Sequence, residues 1–410
     1  MEHVLLTGFP GFLADHLLKR CQEAHGEVFW HLLVLPGQVA QACETLGALG
    51  VAASAYRIYP GDITKPDLGL RAEDARALQG QVERCFHLAA IYDLTVSAAT
   101  SDAINVVGTG HVVEFLAQCP KLRKFNYVST CYVSGTLEGP IAEDALPEPP
   151  GFRNEYERTK YEAEKVVRAH MEKIATTIIR PAVVVGDSAT GETGKFDGPY
   201  VIITCFRPVR RFLYWVPNLG FETTRLNLVP IDFVTRVLGD VGFSDEFVGK
   251  TLQVADAAAP TTSESFGAIL ERMTGRPCSR VGDGFRRVVL RVLQCFPVDL
   301  VTGISAQTVE YFYHRGDYQT ENLREACGRF DIAIPKWTAF YEPMIDFALR
   351  EDRPAPNAGV IREFTRWCSC FRFVYAVLGR GFVLRGGLGQ AIRRLAPVTC
   401  NSGGWFGTHV

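Results

Sequence analysis

Short apolar runs alternate with amphipathic stretches of helical period through the first two-thirds of the chain, and this alternation leaves few folds open. Strands buried on both faces read as unbroken runs of aliphatic and aromatic residues, and parallel neighbours need a helical crossover between them. Val4-Leu5-Leu6 is the first such run. A helix is expected over residues 11–22, with Leu13, Leu17 and Leu18 on one stripe. Runs at residues 28–34, 56–59, 84–88, 124–128 and 176–185 continue the pattern, with a helix over 101–117 and another carrying Tyr156. A turn is expected at Glu138-Gly139-Pro140, before the Pro-rich stretch that ends at Pro149-Pro150. The implied fold is α/β, a doubly wound parallel sheet. Beyond about residue 187 the alternation breaks down. Residues 228–232 and 251–254 read as late returns to the sheet, and helices near 263–273 and 320–327 as a smaller, mostly helical lobe over its carboxyl edge.

Of the 410 residues, 47% are hydrophobic and 21% charged, enough for one large domain with an appended lobe. A net charge of -2 argues against nucleic acid as a partner. The twelve cysteines are scattered singly through expected strands and helices, apart from Cys368 and Cys370, and no second Cys/His pair stands near those two to complete a zinc site. Reduced thiols and a cytoplasmic location are therefore expected. The first strand begins almost at Met1, with no room for a signal peptide before it, and no apolar run is long enough to span a bilayer.

Three places along the chain carry chemistry. Thr7-Gly8-Phe9-Pro10-Gly11-Phe12-Leu13-Ala14 gives G-x-x-G-x-x-A between a strand and a helix. Glycine at 8 permits the tight turn, and glycine at 11 lets the backbone approach a pyrophosphate at the helix N-terminus. Val128-Ser129-Thr130-Cys131-Tyr132 ends the fifth strand, where open parallel sheets bind ligands. A hydroxyl there suits either a substrate carbonyl or a turn bond to backbone. His87 reads as a core histidine with its hydrogen bonds satisfied, and Asp62 either as an adenine contact or as a turn cap.

The third place holds two overlapping Y-x-x-x-K matches, Tyr156 with Lys160 and Tyr161 with Lys165. Five residues turn a helix by about 140°, so both pairs cannot face one cleft. The first stripe continues into Ala163 and Val167 and suits the sheet; the second continues into Arg168 and Glu172 and suits water. Tyr156 and Lys160 are the expected reactive pair, with Tyr161 and Lys165 at the surface. An ammonium beside a phenol favours the phenolate and lowers a pKa that is ordinarily about 10. Such a tyrosine can protonate a carbonyl oxygen as hydride reaches the carbon.

Taken in order, Thr7-Gly8-x-x-Gly11, Gly61-Asp62-Ile63-Thr64, His87-Leu88-Ala89-Ala90, Asn105-Val106-Val107-Gly108-Thr109, Val128-Ser129-Thr130, Tyr156-x-x-x-Lys160 and Arg180-Pro181 resemble the extended short-chain dehydrogenase/reductase family. Val128 to Val133 and Val184-Val185-Gly186-Asp187-Ser188 are similar to its branch of fatty acyl-CoA reductases and thioester reductase domains. The resemblance implies a Rossmann dinucleotide-binding domain over residues 1–190, with sheet returns near 222–256, and a substrate lobe over 191–350. It implies Thr130, Tyr156 and Lys160 as catalytic residues. Cofactor contacts are expected from Thr7, Gly8, Phe9, Pro10, Gly11, Phe12 and Leu13, from Asp62 and Ile63, from Ala89 and Ala90, and from Lys160 and Pro181. No metal is implied. The activity implied is reduction of an acyl thioester, such as an acyl-CoA, or of another apolar carbonyl. A nucleotide-sugar epimerase or dehydratase and a dinucleotide-sensing binding protein remain the alternatives.

Neither an acid nor an arginine follows the second strand at Val34-Leu35-Pro36-Gly37-Gln38, so the usual choice between NAD(H) and NADP(H) has no marker; the resemblance tips it to NADP(H). The apolar segments Phe212 to Val216 and Val288-Val289-Leu290 suit either an acyl chain or ordinary core. After a linker at 352–357, residues 359–410 hold seven arginines against one acid, Glu363, interleaved with aromatics. This tail, residues 351–410 with the linker, suits either an anionic membrane surface or packing on the lobe. A homodimer is one expected assembly.

Overall fold

Every strand of the main sheet runs parallel, as the alternation of runs and helices requires. The computed structural model describes residues 1–351 except 26, 93–95, 197, 208–209, 211–215, 283, 285–310 and 312–313. Readings made for residues 212–215, 288–290, the linker, Cys368, Cys370 and the basic tail fall outside the described residues. Strands β1 (Glu2–Thr7), β2 (Val28–Val34), β3 (Tyr56–Pro60), β4 (Arg84–His87), β5 (Lys124–Val128), β7 (Thr176–Pro181) and β11 (Thr251–Val254) form the sheet. Their order is β11-β7-β5-β4-β1-β2-β3, with the reversal between β1 and β4, where such sheets open a crevice at their carboxyl ends. Three short parallel pairs stand apart: β6 (Gly139–Ile141) with β13 (Gly316–Tyr318), β8 (Val183–Val185) with β10 (Leu228–Pro230), and β9 (Pro217–Asn218) with β12 (Ser279–Arg280).

Period-two alternation sorts each strand's side chains between two cores. In β1, Val4 and Leu6 pack with helices α1 (Phe12–Ala24), α2 (Val39–Ala48), α8 (Ile231–Phe243) and α10 (Glu321–Arg329) on one face. Leu5 packs on the other face with α3 (Ala72–Gln79), α5 (Gly108–Leu116) and α6 (Glu155–Arg168). Each fully buried leucine in these cores contributes about 1.5–3 kcal/mol by leaving water. Short α4 (Ala98–Ser101) leads through a π-helical stretch, Asp102–Val107, into α5. A third core joins α7 (Pro199–Phe206), α9 (Thr262–Thr274) and α11 (Trp337–Arg350) through Ile203, Ile269, Phe340 and Met344, and this is the lobe.

Several elements differ from expectation. The run 176–185 is two strands, because the chain changes partners within it: the Ala182 N–H donates to Val254 in β11, whereas the Val183 N–H donates to Asn227, just before β10. Leu228–Pro230 therefore pairs with β8 outside the main sheet, and Ile231 already starts α8. Leu323, Ala326 and Cys327 of α10 pack into the sheet's first core and not into the lobe. Gly139-Pro140 belongs to a strand, not a turn. Among the described residues, no helix is long and apolar enough to cross a membrane.

Candidate active site at the carboxyl edge of the sheet

The glycine turn opens the site. Gly8 sits at φ +88°, in the left-handed region, and a Cβ there would lie 2.7 Å from the Ala89 amide nitrogen and 2.8 Å from the Leu88 carbonyl carbon. Only a residue without a side chain lets the ends of β1 and β4 come this close. At Gly11 a Cβ would meet the Gly8 carbonyl at 2.5 Å. Gly11 is the N-cap of α1 and brings no side chain to its first turn, although the Asp15 carboxylate accepts from the Gly11 N–H at 3.1 Å. Burial pushes the Asp15 carboxyl above the usual carboxylate range. The first-turn N–H groups of α1 face a cleft of about 740 Å³, as a phosphate site requires.

Thr7, at the end of β1, is tied to His87, at the end of β4. The Thr109 hydroxyl gives its only proton to the Asn105 carbonyl (2.6 Å), so His87 Nε2 must donate to Thr109 (3.1 Å), and Nδ1 accepts from the Thr7 hydroxyl (2.6 Å). Burial, with Lys160 nearby, pushes the His87 pKa down to about 3, so the ring is neutral and satisfied. Asp62 forms a turn, accepting from the Thr64 N–H (3.0 Å) and hydroxyl (2.8 Å), and it also lines the cleft beside Ile63.

Helix α6 is well marked at both ends. Asn154 caps it by accepting from the Glu157 N–H (3.0 Å), Glu155 and Glu157 occupy the first turn, and Lys165 and Arg168 the last. Ala163 and Val167 are buried against the sheet, so the stripe that starts with Tyr156 and Lys160 does face inward. Tyr156 stacks edge-on with Tyr92 at 4.7 Å. Lys160 is buried; its ammonium donates to the Val128 carbonyl (2.7 Å) and lies 4.5 Å from the centre of the Tyr127 ring. Desolvation brings its pKa down to about 7, against the opposing pull of Glu164. On the second stripe the surface reading holds for Lys165 but not for Tyr161, which is only 5% exposed. The loop entering α6 folds Phe152 over its ring, 5.3 Å between centres. Arg168 likewise pairs with Glu164 (2.9 Å) and with Thr251 (2.9 Å).

Thr130 caps the 3₁₀ turn Cys131–Ser134: its oxygen accepts from the Tyr132 N–H and its proton goes to the Pro181 carbonyl, both at 3.3 Å. The neighbouring Ser129 hydroxyl donates to Glu164 at 2.6 Å. Glu164 in turn holds Arg180, a buried pair at 2.6 Å, which keeps the Glu164 carboxyl below the usual carboxylate range despite its burial. Thr130, Tyr156 and Lys160 all line the one cleft, as do all the residues expected to contact a cofactor. Sequence reasoning passed over Tyr92, Tyr132, Lys195 and Tyr311 on the same walls. Tyr132 stood in the run at the end of β5; the other three lie in loops or far downstream without a motif.

These residues fit a dinucleotide. The turn Gly8 to Leu13 would hold its pyrophosphate, Asp62 and Ile63 its adenine end, and Ala89, Ala90, Lys160 and Pro181 its nicotinamide end.

Comparison with known proteins agrees with that fit. Linear gramicidin synthase of Brevibacillus parabrevis is 27% identical over 292 residues, 67% of this chain and 6% of that protein. Fatty acyl-CoA reductase wat of Drosophila melanogaster is 25% identical over 277 residues, 57% of this chain and 53% of that protein. The chain thus spans about half or less of the length of these relatives. Among solved structures, the terminal R domain from the myxalamid PKS-NRPS biosynthetic pathway shares the fold with a TM-score of 0.68 at 20% identity, covering 85% of this chain and 89% of that one. UDP-glucuronic acid 4-epimerase from Bacillus cereus, solved with NAD, shares it at 0.59 and 16%, covering 87% and 99%. The profile of the NAD-binding family described as male sterility protein matches residues 6–238, and the chain belongs to that family.

Proposed function

We propose that the chain is an NAD(P)-dependent reductase acting on an acyl thioester or another apolar carbonyl compound. The observation that carries this reading is the placement of Tyr156 and Lys160, one turn apart on α6, on the wall of the cleft that the Gly8 turn opens. When bound, the reduced nicotinamide supplies hydride. Tyr156 gives its proton to the carbonyl oxygen, and Lys160, in its ammonium form, stabilises the phenolate left behind. An anionic ligand in the cleft draws Lys160 towards that form. From a thioester, one hydride and one proton give a hemithioacetal, whose C–S bond breaks to release an aldehyde and a thiol. Val183, Val184, Leu226 and the rings of Tyr132 and Tyr311 offer an apolar wall for the acyl part. Relatives named as fatty acyl-CoA reductases support the same substrate class.

The NADP(H) preference implied by the resemblance gains no support from the cleft. Beside the end of β2 it is lined by Leu33, Leu35 and Gln38, with no cation among the described lining residues there to hold a 2′-phosphate. We read the discrimination between the two cofactors as weak.

The test is a nicotinamide-oxidation assay of the full chain against acyl-CoAs and long-chain aldehydes. One cofactor should be oxidised per aldehyde formed from thioester; consumption of a sugar nucleotide without net oxidation would instead identify an epimerase. Tyr156→Phe should lower kcat by roughly 10²–10⁴-fold with dinucleotide affinity retained. Unchanged turnover would reject the assignment.

A further inference from the structure

Reducing a carbonyl puts negative charge on its oxygen, and sites that do this well usually aim more than one donor at it. The hydroxyl expected for that purpose at Thr130 has a single proton, already given to Pro181, and Ser129 gives its proton inward to Glu164. Tyr132 lies two residues on, and it lines the cleft. Its ring is 6% exposed and is held edge-on by Tyr311, 4.7 Å between centres, with Tyr318 at 6.3 Å.

The two flanking phenols are engaged. Tyr318 bonds His314 Nε2 (2.8 Å) and Ser134 (3.4 Å), and the Tyr311 hydroxyl accepts from the Asn154 amide (2.8 Å). The Tyr132 hydroxyl makes no hydrogen bond to any described residue, and it is not among the hydroxyls sealed away from solvent. Burial pushes its pKa well up, so the phenol keeps its proton across the working range. A rigid, neutral donor without a partner among the described residues therefore stands on the wall of the cleft.

We propose that Tyr132 is a catalytic residue that donates the second hydrogen bond to the substrate carbonyl oxygen, stabilising the charge that Tyr156 neutralises. This rests on the hydride-transfer reading of the cleft. Tyr132 keeps its proton throughout; no bond forms or breaks at it.

The experiment compares Tyr132→Phe, Thr130→Val and Tyr156→Phe in the full chain. Tyr132→Phe should lower kcat by about 10²-fold with KM changed far less. It should also weaken a non-reacting carboxamide analogue of the acyl substrate, titrated calorimetrically, by about tenfold, while melting temperature and NADH affinity stay unchanged. Thr130→Val should keep most of the turnover. If Tyr132→Phe turns over within a few-fold of wild type while Tyr156→Phe is inactive, the Tyr132 role is wrong and the reductase reading stands. Loss of stability or of NADH affinity in Tyr132→Phe would make the hydroxyl structural and overturn the proposal equally. Should Tyr156→Phe remain active, the hydride-transfer reading itself fails.

Discussion

Leu35 shows how one side chain governs a choice that the rest of the cleft leaves open. It is 47% exposed, immediately follows β2 and lines the cleft where a cofactor's ribose would pass. Arginine there would present a bidentate donor to a 2′-phosphate. Leu35→Arg should therefore raise the NADPH-over-NADH ratio of kcat/KM by about tenfold or more, a charged hydrogen bond being typically ~1.5–3 kcal/mol; an unmoved ratio would place the ribose elsewhere. At this scale the sequence was informative where chemistry coincides with periodicity. Tyr156 and Lys160 could be preferred over Tyr161 and Lys165 because Ala163 and Val167 continue their stripe. Tyr161 was misread because Phe152, which covers it, comes from a loop with no period of its own. Tyr132 and Tyr311 carried no signal, since an aromatic at the end of a strand or in a loop is ordinarily core.

Helix α6 illustrates what an element needs beyond its own pattern. Its caps and end charges start and stop it, but its position against β5 and β7 is fixed from below. Arg180 on β7 reaches Glu164 through Nε (3.0 Å) and Nη2 (2.6 Å), and also bonds the carbonyls of Glu143 (3.2 Å) and Ala145 (2.9 Å). Removing one member of a buried pair leaves the other charged and unpaired. Arg180→Leu should destabilise the protein by roughly 3–5 kcal/mol, seen as an earlier midpoint in urea, and should displace the helix carrying the reactive pair. A loss below about 1 kcal/mol would show that water satisfies Glu164 instead. The main strands were legible because burial on both faces demands unbroken apolar runs. The split of residues 176–185 was not, because Val183, Val184 and Val185 are as apolar as the strand they leave, and only the partner bonds tell them apart.

Buried ionisable groups give the whole molecule a distinctive response to pH. Burial lowers Lys160 and Lys124 from 10.5 to about 7; Lys124 donates to the carbonyls of Val241 (2.8 Å) and Ser244 (2.6 Å). Between pH 7 and about 10 the unfolded chain holds more protons on these lysines than the folded one, so stability rises with pH, by up to ~1.4 kcal/mol per unit for each group. Glu143 acts in the opposite sense: burial raises it from 4.5 to about 7, so its contribution is present below pH 4.5 and lost as pH rises to 7. The ligand-free protein should melt higher at pH 9 than at pH 7, and Lys124→Met should flatten that rise. A profile unchanged by the substitution would mean that Lys124 stays charged in the fold. Where the chain changes partners, between Ala182 and Val183, both residues line the cleft. Anyone exchanging the lobe for another to obtain a new specificity has a seam at that point, and it runs through the reaction floor. Scaffold and selectivity in this protein are therefore stitched by the same residues, and a graft that spares one must redesign the other.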